Sequence, residues 1–313
     1  MPQIGWLDPS KGTERTFDKW LALAAKDGEA LGFPYEVLAG IRQQLSGEHR
    51  PEGITVTQLG GCLRRQLLEG KHEFYGTPAS NYAAFRGTVV HAMLESFPHP
   101  DAVIEERVWR RYGGAVLSGQ IDKVRMLKHS RDDMLAYLEW VRLAHVAEMD
   151  DQSLPERPFP DAEFEIEDWK SKDELPTYAY VAKRYVSQGN LYRWLLRIPK
   201  GMVHIDFVFV SMKGTRTMSL YEGGNFRNGR TKPDQIWSDS EVKKYLEERF
   251  AILDASRRLD RPLAYSNVTE EDLWECQWCS AKPLCYRLAA EEARVAWLAG
   301  EKVDRIPPRE GEI

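Results

Sequence analysis

Phe164-Glu165-Ile166-Glu167-Asp168-Trp169-Lys170 is the stretch whose reading decides the fold. It has the character of a strand that ends in an acid and a lysine two residues apart. Side chains alternate between the faces of a strand, so Asp168 and Lys170 share one face and Glu167 takes the other. A carboxylate beside an ammonium can hold a metal ion and steer a water. The same triplet is an ordinary surface ion pair in most proteins, so the neighbouring elements have to decide.

After Pro176 the pattern predicts a helix to about Arg197, where Pro199 ends it. Tyr178, Val181, Tyr185, Gln188, Tyr192 and Leu195 recur at spacings of three and four, on one helical face. Gln188 is the one amide on that stripe. It is either a half-buried side chain satisfied by backbone or a group facing a polar site. Val203 to Val210 is the next strand, and Thr215 to Tyr221 pairs with it. Residues 163–210 then form a strand–helix–strand unit, expected to be a right-handed parallel crossover.

Upstream, Val103 to Arg110 and Ala115 to Met126 read as a hairpin joined through Tyr112-Gly113-Gly114, with Asp122 in its second strand. Residues 127–162 are an insertion before the opening strand. Ser130 to Asp133 resembles a capping box that starts a helix reaching about Met149, and a Pro-rich loop follows. Thr57 to Leu68 is expected as one helix carrying Cys62, Arg64 and Arg65. Phe85 to Phe97 is another, carrying His91 and Glu95 and stopped by Pro98. Ser238 to Glu241 caps a helix to about Leu259, and a last helix spans 286 to 299. The order predicts an α/β fold: a mixed central sheet flanked by helices. The expected organisation is a helical N-terminal extension over 1–50, with amphipathic helices at 16–26 and 35–45. One domain follows over 51–300, then a tail over 301–313 that reads as disordered from Pro307.

The chain has 313 residues, of which 42% are hydrophobic and 29% charged, an ordinary composition for a water-soluble protein. No apolar run approaches the roughly 20 residues of a membrane helix. Asp8, Lys11, Glu14, Arg15, Asp18 and Lys19 leave no apolar core for a signal peptide, so the cytoplasm is the expected compartment. A net charge of −5 argues against a broadly basic surface that coats nucleic acid, but leaves room for a local basic channel.

Two constellations carry chemistry. The first is acidic: His91 on a helix, Asp122 on one strand, Asp168 and Lys170 on another, and Gln188 and Tyr192 on the helix after it. Carboxylates suit Mg2+, and an imidazole also admits Mn2+. Each residue alone has a plainer reading: a satisfied core histidine, a solvated aspartate, ordinary helix packing. The second is a set of thiols. Cys276, Cys279 and Cys285 form C-x2-C-x5-C, and Cys62 stands far upstream. Four cysteines can hold zinc or an iron–sulfur cluster. The one-plus-three grouping, with Pro283 inside it, favours the cluster, with zinc as the alternative.

These motifs resemble, in order, those of RecB-like nucleases of the PD-(D/E)XK superfamily. More narrowly, they are similar to the iron–sulfur nucleases of the CRISPR-associated Cas-four family and their phage-borne relatives. The matching segments are Gly61-Cys62-Leu63-Arg64-Arg65-Gln66, Gly87 to His91 followed by Glu95, and Gly119 to Asp122. Asp168-Trp169-Lys170, Gln188 to Tyr192 and Cys276 to Cys285 complete the set. The resemblance implies a restriction-endonuclease-like sheet. It implies that His91, Asp122 and Asp168 bind Mg2+ or Mn2+ with help from the Trp169 carbonyl, that Lys170 is the catalytic lysine, and that Gln188 and Tyr192 orient the site. It implies a 4Fe–4S cluster on Cys62, Cys276, Cys279 and Cys285, and exonuclease action on single-stranded DNA or DNA ends. Arg64, Arg65, Lys183 and Arg184 are candidates for contacts with the DNA backbone. Expected partners are DNA and either a second copy of the chain or proteins of recombination or CRISPR adaptation. No membrane is expected. The competing reading is an inactive DNA-binding module that keeps the fold. The insertion over 127–162 and the first 50 residues depart from the family pattern.

Overall fold

The computed structural model describes residues 53–69, 71–72, 78–97, 99–172, 175, 183–211, 214–220, 224–225, 231–232, 234–258, 268, 276, 279 and 281–299. The expected helices at 16–26 and 35–45, the stretch 176–182 and the tail lie outside these residues.

The chain enters as a short strand β1 (Ile54–Thr55) and a helix α1 (Val56–Gly60). Thr55 caps α1 through a capping box with Gln58. The single helix expected over 57–68 is in fact two: α1 stops at Gly60, and α2 runs Leu63–Glu69. The cause is Gly60-Gly61. Glycine is a poor helix residue, and Gly61 adopts extended backbone (φ −92°, ψ −169°). Its N–H bonds back to the Thr57 and Gln58 carbonyls and closes α1. Helix α3 (Pro78–Glu95) begins earlier than the expected Phe85.

Strands β2 (Ala102–Tyr112) and β3 (Ala115–Met126) form the hairpin, in register from Ala102 opposite Arg125 to Tyr112 opposite Ala115. Its turn is Gly113-Gly114, and Gly113 takes φ +56°, a value that glycine adopts without strain. Helix α4 (Arg131–Met149) follows, capped by Ser130 and Asp133. Strand β4 (Phe164–Ser171) lies antiparallel to β3, so the insertion does join two neighbouring strands. Helix α5 (Lys183–Leu195) leads to β5 (Val203–Ser211), which is parallel to β4, and β6 (Gly214–Ser219) pairs antiparallel with β5. A two-stranded ribbon, β7 (Gly224–Asn225) with β8 (Thr231–Lys232), stands apart. Helices α6 (Asp239–Arg258) and α7 (Lys282–Leu298) complete the described chain.

The fold is therefore α/β, with a six-stranded mixed sheet flanked by helices. Strand β3 has β2 along one edge. Its other edge is shared by β1, against Leu117 and Ser118, and by β4, against Lys123 to Met126. The insertion helix α4 is a layer of the core: Met134, Tyr137, Leu138, Val141 and Ala144 are buried, and Tyr137 packs on Phe164 at 4.6 Å between rings. Arg110 of β2 pairs with Glu148 of α4 through two nitrogens and lies 4.0 Å over the Trp194 ring of α5. Among the described residues no helix is long and apolar enough to cross a membrane.

Helix α5 departs from the one-sided stripe expected of it. Every residue from Tyr185 to Leu195 is buried, polar ones included. Most of the polar groups find partners, on the helix itself and on residues 235–239, while Arg193 Nε and Trp194 Nε1 have none among the described residues. The Asn190 amide donates to the Val186 and Gln235 carbonyls and accepts from the Trp237 N–H. The Arg193 guanidinium donates to the Ile198 and Trp237 carbonyls and to Asp239. A helix enclosed on all sides is a rigid platform for Gln188 and Tyr192.

Candidate active site

Three side chains form a group whose ligand atoms lie within 4.8 Å of one another: His91, Glu105 and Asp122. His91 projects from the last turns of α3. Its Nδ1 is 3.5 Å from both Asp122 Oδ1 and Glu105 Oε1. Its Nε2 is 3.1 Å from the Trp169 carbonyl oxygen. A carbonyl only accepts, so Nε2 carries a proton and Nδ1 is left for the carboxylates or an ion. The resemblance implies the Trp169 carbonyl as a metal ligand; here that carbonyl accepts from His91.

Asp122 and Asp168 come from adjacent strands. Asp122 Oδ2 accepts the Trp169 N–H at 2.5 Å. Asp168 is 1% exposed; its Oδ1 accepts from Gln188 Nε2 at 2.9 Å, and its Oδ2 pairs with Lys170 Nζ. The Gln188 amide also donates to the Tyr192 hydroxyl at 2.9 Å, so one side chain bridges α5 to β4. Glu167 points away and pairs with Lys123 of β3. Asp122 thus has one oxygen held by main chain and the other toward His91, whereas both Asp168 oxygens are held by the protein, and Asp168 lies outside the three-residue group.

Glu105 was not expected. It sits opposite Asp122 in the hairpin, between the ladder pairs Ile104–Lys123 and Glu106–Ile121, at φ +53°. That backbone is costly for a non-glycine residue and recurs at functional sites. Gln120 holds Glu105 Oε2, while Oε1 is buried without a hydrogen-bond partner. One signal was available: Val103 and Val108 are both buried although an odd spacing separates them, so the alternation must break between them.

Charge is unbalanced. Glu95, Glu105, Asp122 and Asp168 face one lysine and one histidine. Burial, and then Asp168, push the Asp122 carboxyl up to about 8. Burial, and then Glu105, raise Glu95 to about 7. Burial alone lowers the pKa of His91, but Glu105 and Asp122 outweigh it and raise the imidazole to about 9. Burial likewise opposes the Lys170 charge, yet Asp168 and Asp122 hold its pKa above the ordinary value. The site asks for added positive charge. The Glu105 and Asp122 carboxylates and one imidazole nitrogen of His91 form a donor set with the geometry to hold a metal ion.

Two expectations follow. Metal uptake displaces protons from Asp122, Glu95 and His91, so affinity climbs as pH rises through about 7 to 9. Titration calorimetry in buffers of different ionisation enthalpy counts those protons; an affinity flat between pH 6 and 9 contradicts the linkage. Gly119 tests the platform. A Cβ there stands 2.7 Å from Tyr192 Cε1 and 3.0 Å from Val56 Cγ2. Gly119→Ala therefore displaces the Tyr192 ring, loosens Gln188 from Asp168 and costs about 1–3 kcal/mol. Melting and metal affinity both equal to the parent's mean that Tyr192 does not hold the site.

The basic candidates divide. Arg64 is 0% exposed and is no DNA contact: its guanidinium is spent on Cys285 and Glu292. Arg65 pairs with Glu69 one turn along. Lys183 is exposed, and Arg184 lies 4.5 Å over the Tyr185 ring. Lys170 and Lys172 also approach that ring, and Arg86 donates to Ser171 at 2.9 Å. Lys170, Lys172, Arg184 and Arg86 thus gather around the end of β4.

Three of the four thiols share one cluster. None of the four is in a disulfide. Cys62 and Cys285 are buried in one cluster with Leu68, Val268, Ala281 and Ala289, and Cys279 packs against it. Burial, with Cys276 nearby adding to it, pushes the Cys279 thiol up to about 11. Bound metal would displace those protons.

No family model and no curated protein matches the chain. Among solved structures it is similar to the crystal structure of SSO0001, with 14% identity and a TM-score of 0.44 over 80% of this chain and 94% of that one. That likeness carries no functional assignment.

Proposed function

We propose that the chain is a metal-dependent nuclease that hydrolyses DNA phosphodiesters, at ends or in single strands, and holds an iron–sulfur cluster on its four cysteines. The observation that carries this reading is the meeting of His91, Glu105 and Asp122 beside the buried Asp168–Lys170 pair.

When bound, a divalent ion at these acids supplies a water nucleophilic at neutral pH and offsets charge on the phosphate. His91, Glu105, Asp122 and Asp168 are the residues that would hold it. Lys170 is kept protonated by Asp168 and Asp122, so it serves as a fixed cation for charge that develops on phosphate oxygens. Gln188 aims Asp168, the Trp169 N–H aims Asp122, and Gln120 aims Glu105. Groups fixed before substrate arrives need no reorganisation during reaction. Lys172, Lys183, Arg184 and Arg86 give a strand a local basic approach in a chain of net charge −5.

The test is the parent protein on 5′- and 3′-labelled single-stranded and duplex DNA with Mg2+ or Mn2+. Shortened products from one label or both support the reading. DNA left intact with every metal and every substrate removes it in favour of a binding module.

One observation favours a nuclease that works within an assembly. Leu135, Leu143, Val146 and Met149 are exposed on one face of α4, opposite the face that packs on the sheet. Contact with a second copy or with a recombination or CRISPR-adaptation protein would cover them. Light scattering over a concentration series, paired with the cleavage assay, separates the two. Full activity in a monomer at all concentrations rules out dependence on self-assembly.

A further inference from the structure

Among the described residues Arg64 is the least exposed charged side chain. It is 0% exposed. Burying a guanidinium costs several kcal/mol unless its charge and donors are answered. Each nitrogen of its head is committed. Nη1 donates to both oxygens of Glu292, at 2.9 and 3.3 Å. Nε donates to Cys285 Sγ at 3.2 Å, and Nη2 to the Cys285 carbonyl at 3.4 Å. Cys285 lies 221 residues along the chain from Arg64.

Two of these nitrogens therefore donate to one cysteine. A neutral thiol is a weak acceptor and gives little reason to bury a cation. A metal-bound thiolate gives a strong one, because it accepts a charge-assisted hydrogen bond. Glu292 answers one unit of charge and is 37% exposed. A 4Fe–4S cluster on four thiolates would carry a net negative charge, which the guanidinium, already paired with Glu292, would offset only in part.

We infer that Arg64 is a positioning residue for the cluster: its Nε–H holds the Cys285 sulfur, and its charge sets the electrostatic environment of that ligand. This rests on the proposed reading of the four cysteines. An N–H donor and a positive charge at a ligand sulfur favour the reduced, more negative cluster, so they raise its reduction potential. They also slow loss of the ligand. The plainer alternative is a staple between α2 and α7, made by Arg64 and Glu292. A staple changes melting but has no reason to move a potential.

The experiment uses full-length protein purified without oxygen, with iron and acid-labile sulfide measured first. Arg64→Gln removes both charge and donor. Arg64→Lys keeps the charge but loses the planar fork. Glu292→Gln breaks the helix-to-helix link and spares the sulfur contact. The midpoint potential is read by dye-mediated titration with the electron paramagnetic resonance signal of the reduced cluster. Iron loss is read with a chelator. Arg64→Gln is expected to shift the potential negative and to speed iron loss about 10-fold, the order found for groups that support metal ligands. Arg64→Lys falls between it and the parent. Glu292→Gln melts lower, without a negative shift. Should Arg64→Gln fail to fold, Arg64→Lys carries the comparison.

Parent-like potential and iron loss in the folded Arg64 variants overturn the inference, as does an equal negative shift in Glu292→Gln. A parent with stoichiometric zinc overturns the iron assignment, and zinc release then reads the role of Arg64. A parent with neither metal overturns the cysteine reading itself, before any variant is made.

Discussion

Asp168→Asn lowers DNA cleavage by about 10²–10³-fold, the scale on which one preorganised electrostatic group acts. The substitution keeps the shape of the side chain and removes its charge. Asp168 is 1% exposed and is gripped by Gln188 and Lys170, so the change falls on the site rather than on the surface. It also removes one of the two acids that keep Lys170 charged. Lys170→Met is the converse. It leaves Asp168 and Asp122 without their cation, so both carboxyls rise further and metal uptake moves to higher pH. Removing one partner of a buried pair costs on the order of 3 kcal/mol, because the other charge remains. The double variant Asp168→Asn/Lys170→Met is therefore more stable than Lys170→Met alone, yet stays inactive. Single-turnover cleavage and thermal melting read the two effects separately. Cleavage at the parental rate by Asp168→Asn shows that the hydrolysis belongs elsewhere on the chain or to a contaminant.

The sheet and the acids on it were legible because a strand has one period. Once Phe164 to Lys170 is a strand, the positions of Asp168, Lys170 and Glu167 follow from alternation, and the structure puts Glu167 on Lys123. Gln188 and Tyr192 were legible as one helical face, because residues four apart stack. Glu105 was not legible in the same way. It faces the site only because one residue takes φ +53°, and no residue type announces that conformation. Arg64 was misread for a different reason. An arginine on a short helix is usually solvated, and its burial depends on Cys285 and Glu292, far away in the chain. Helix α5 misled in the opposite direction: Ser187, Asn190 and Arg193 look like a solvent face, but their hydrogen bonds end on local main chain. The break at Gly60-Gly61 is a matter of degree, since two glycines weaken a helix without fixing where it ends.

Loss of a single cysteine is the change with the largest expected effect on stability. Cys285→Ala should release α7 and lower the melting temperature of the whole domain. The reason is the thinness of the packing there. Among the described residues, the apolar ones buried with Cys62 and Cys285 are Leu68, Val268, Ala281 and Ala289, two of them alanines, with Leu284, Tyr286 and Leu288 partly buried against them. Farther along α7, Val295 is 62% and Leu298 67% exposed. At about 25 cal/mol per Å2, so small an apolar contact holds a 17-residue helix weakly. A structural metal site is of another order: bound zinc contributes about 10–16 kcal/mol to folding in small zinc domains. Cys62 reaches this place because the chain leaves helical geometry at Gly61, so the cluster would tie α2 to the C-terminal segment. Cys62→Ala and Cys285→Ala should then resemble each other and resemble the parent stripped of iron. Removing Mg2+ or Mn2+ alone should not reproduce them. Limited proteolysis reads the release of α7 directly, as early cleavage between α6 and α7. If Cys285→Ala melts with the parent and resists protease equally, the C-terminal helix is held by packing, and the thiols contribute nothing to the fold.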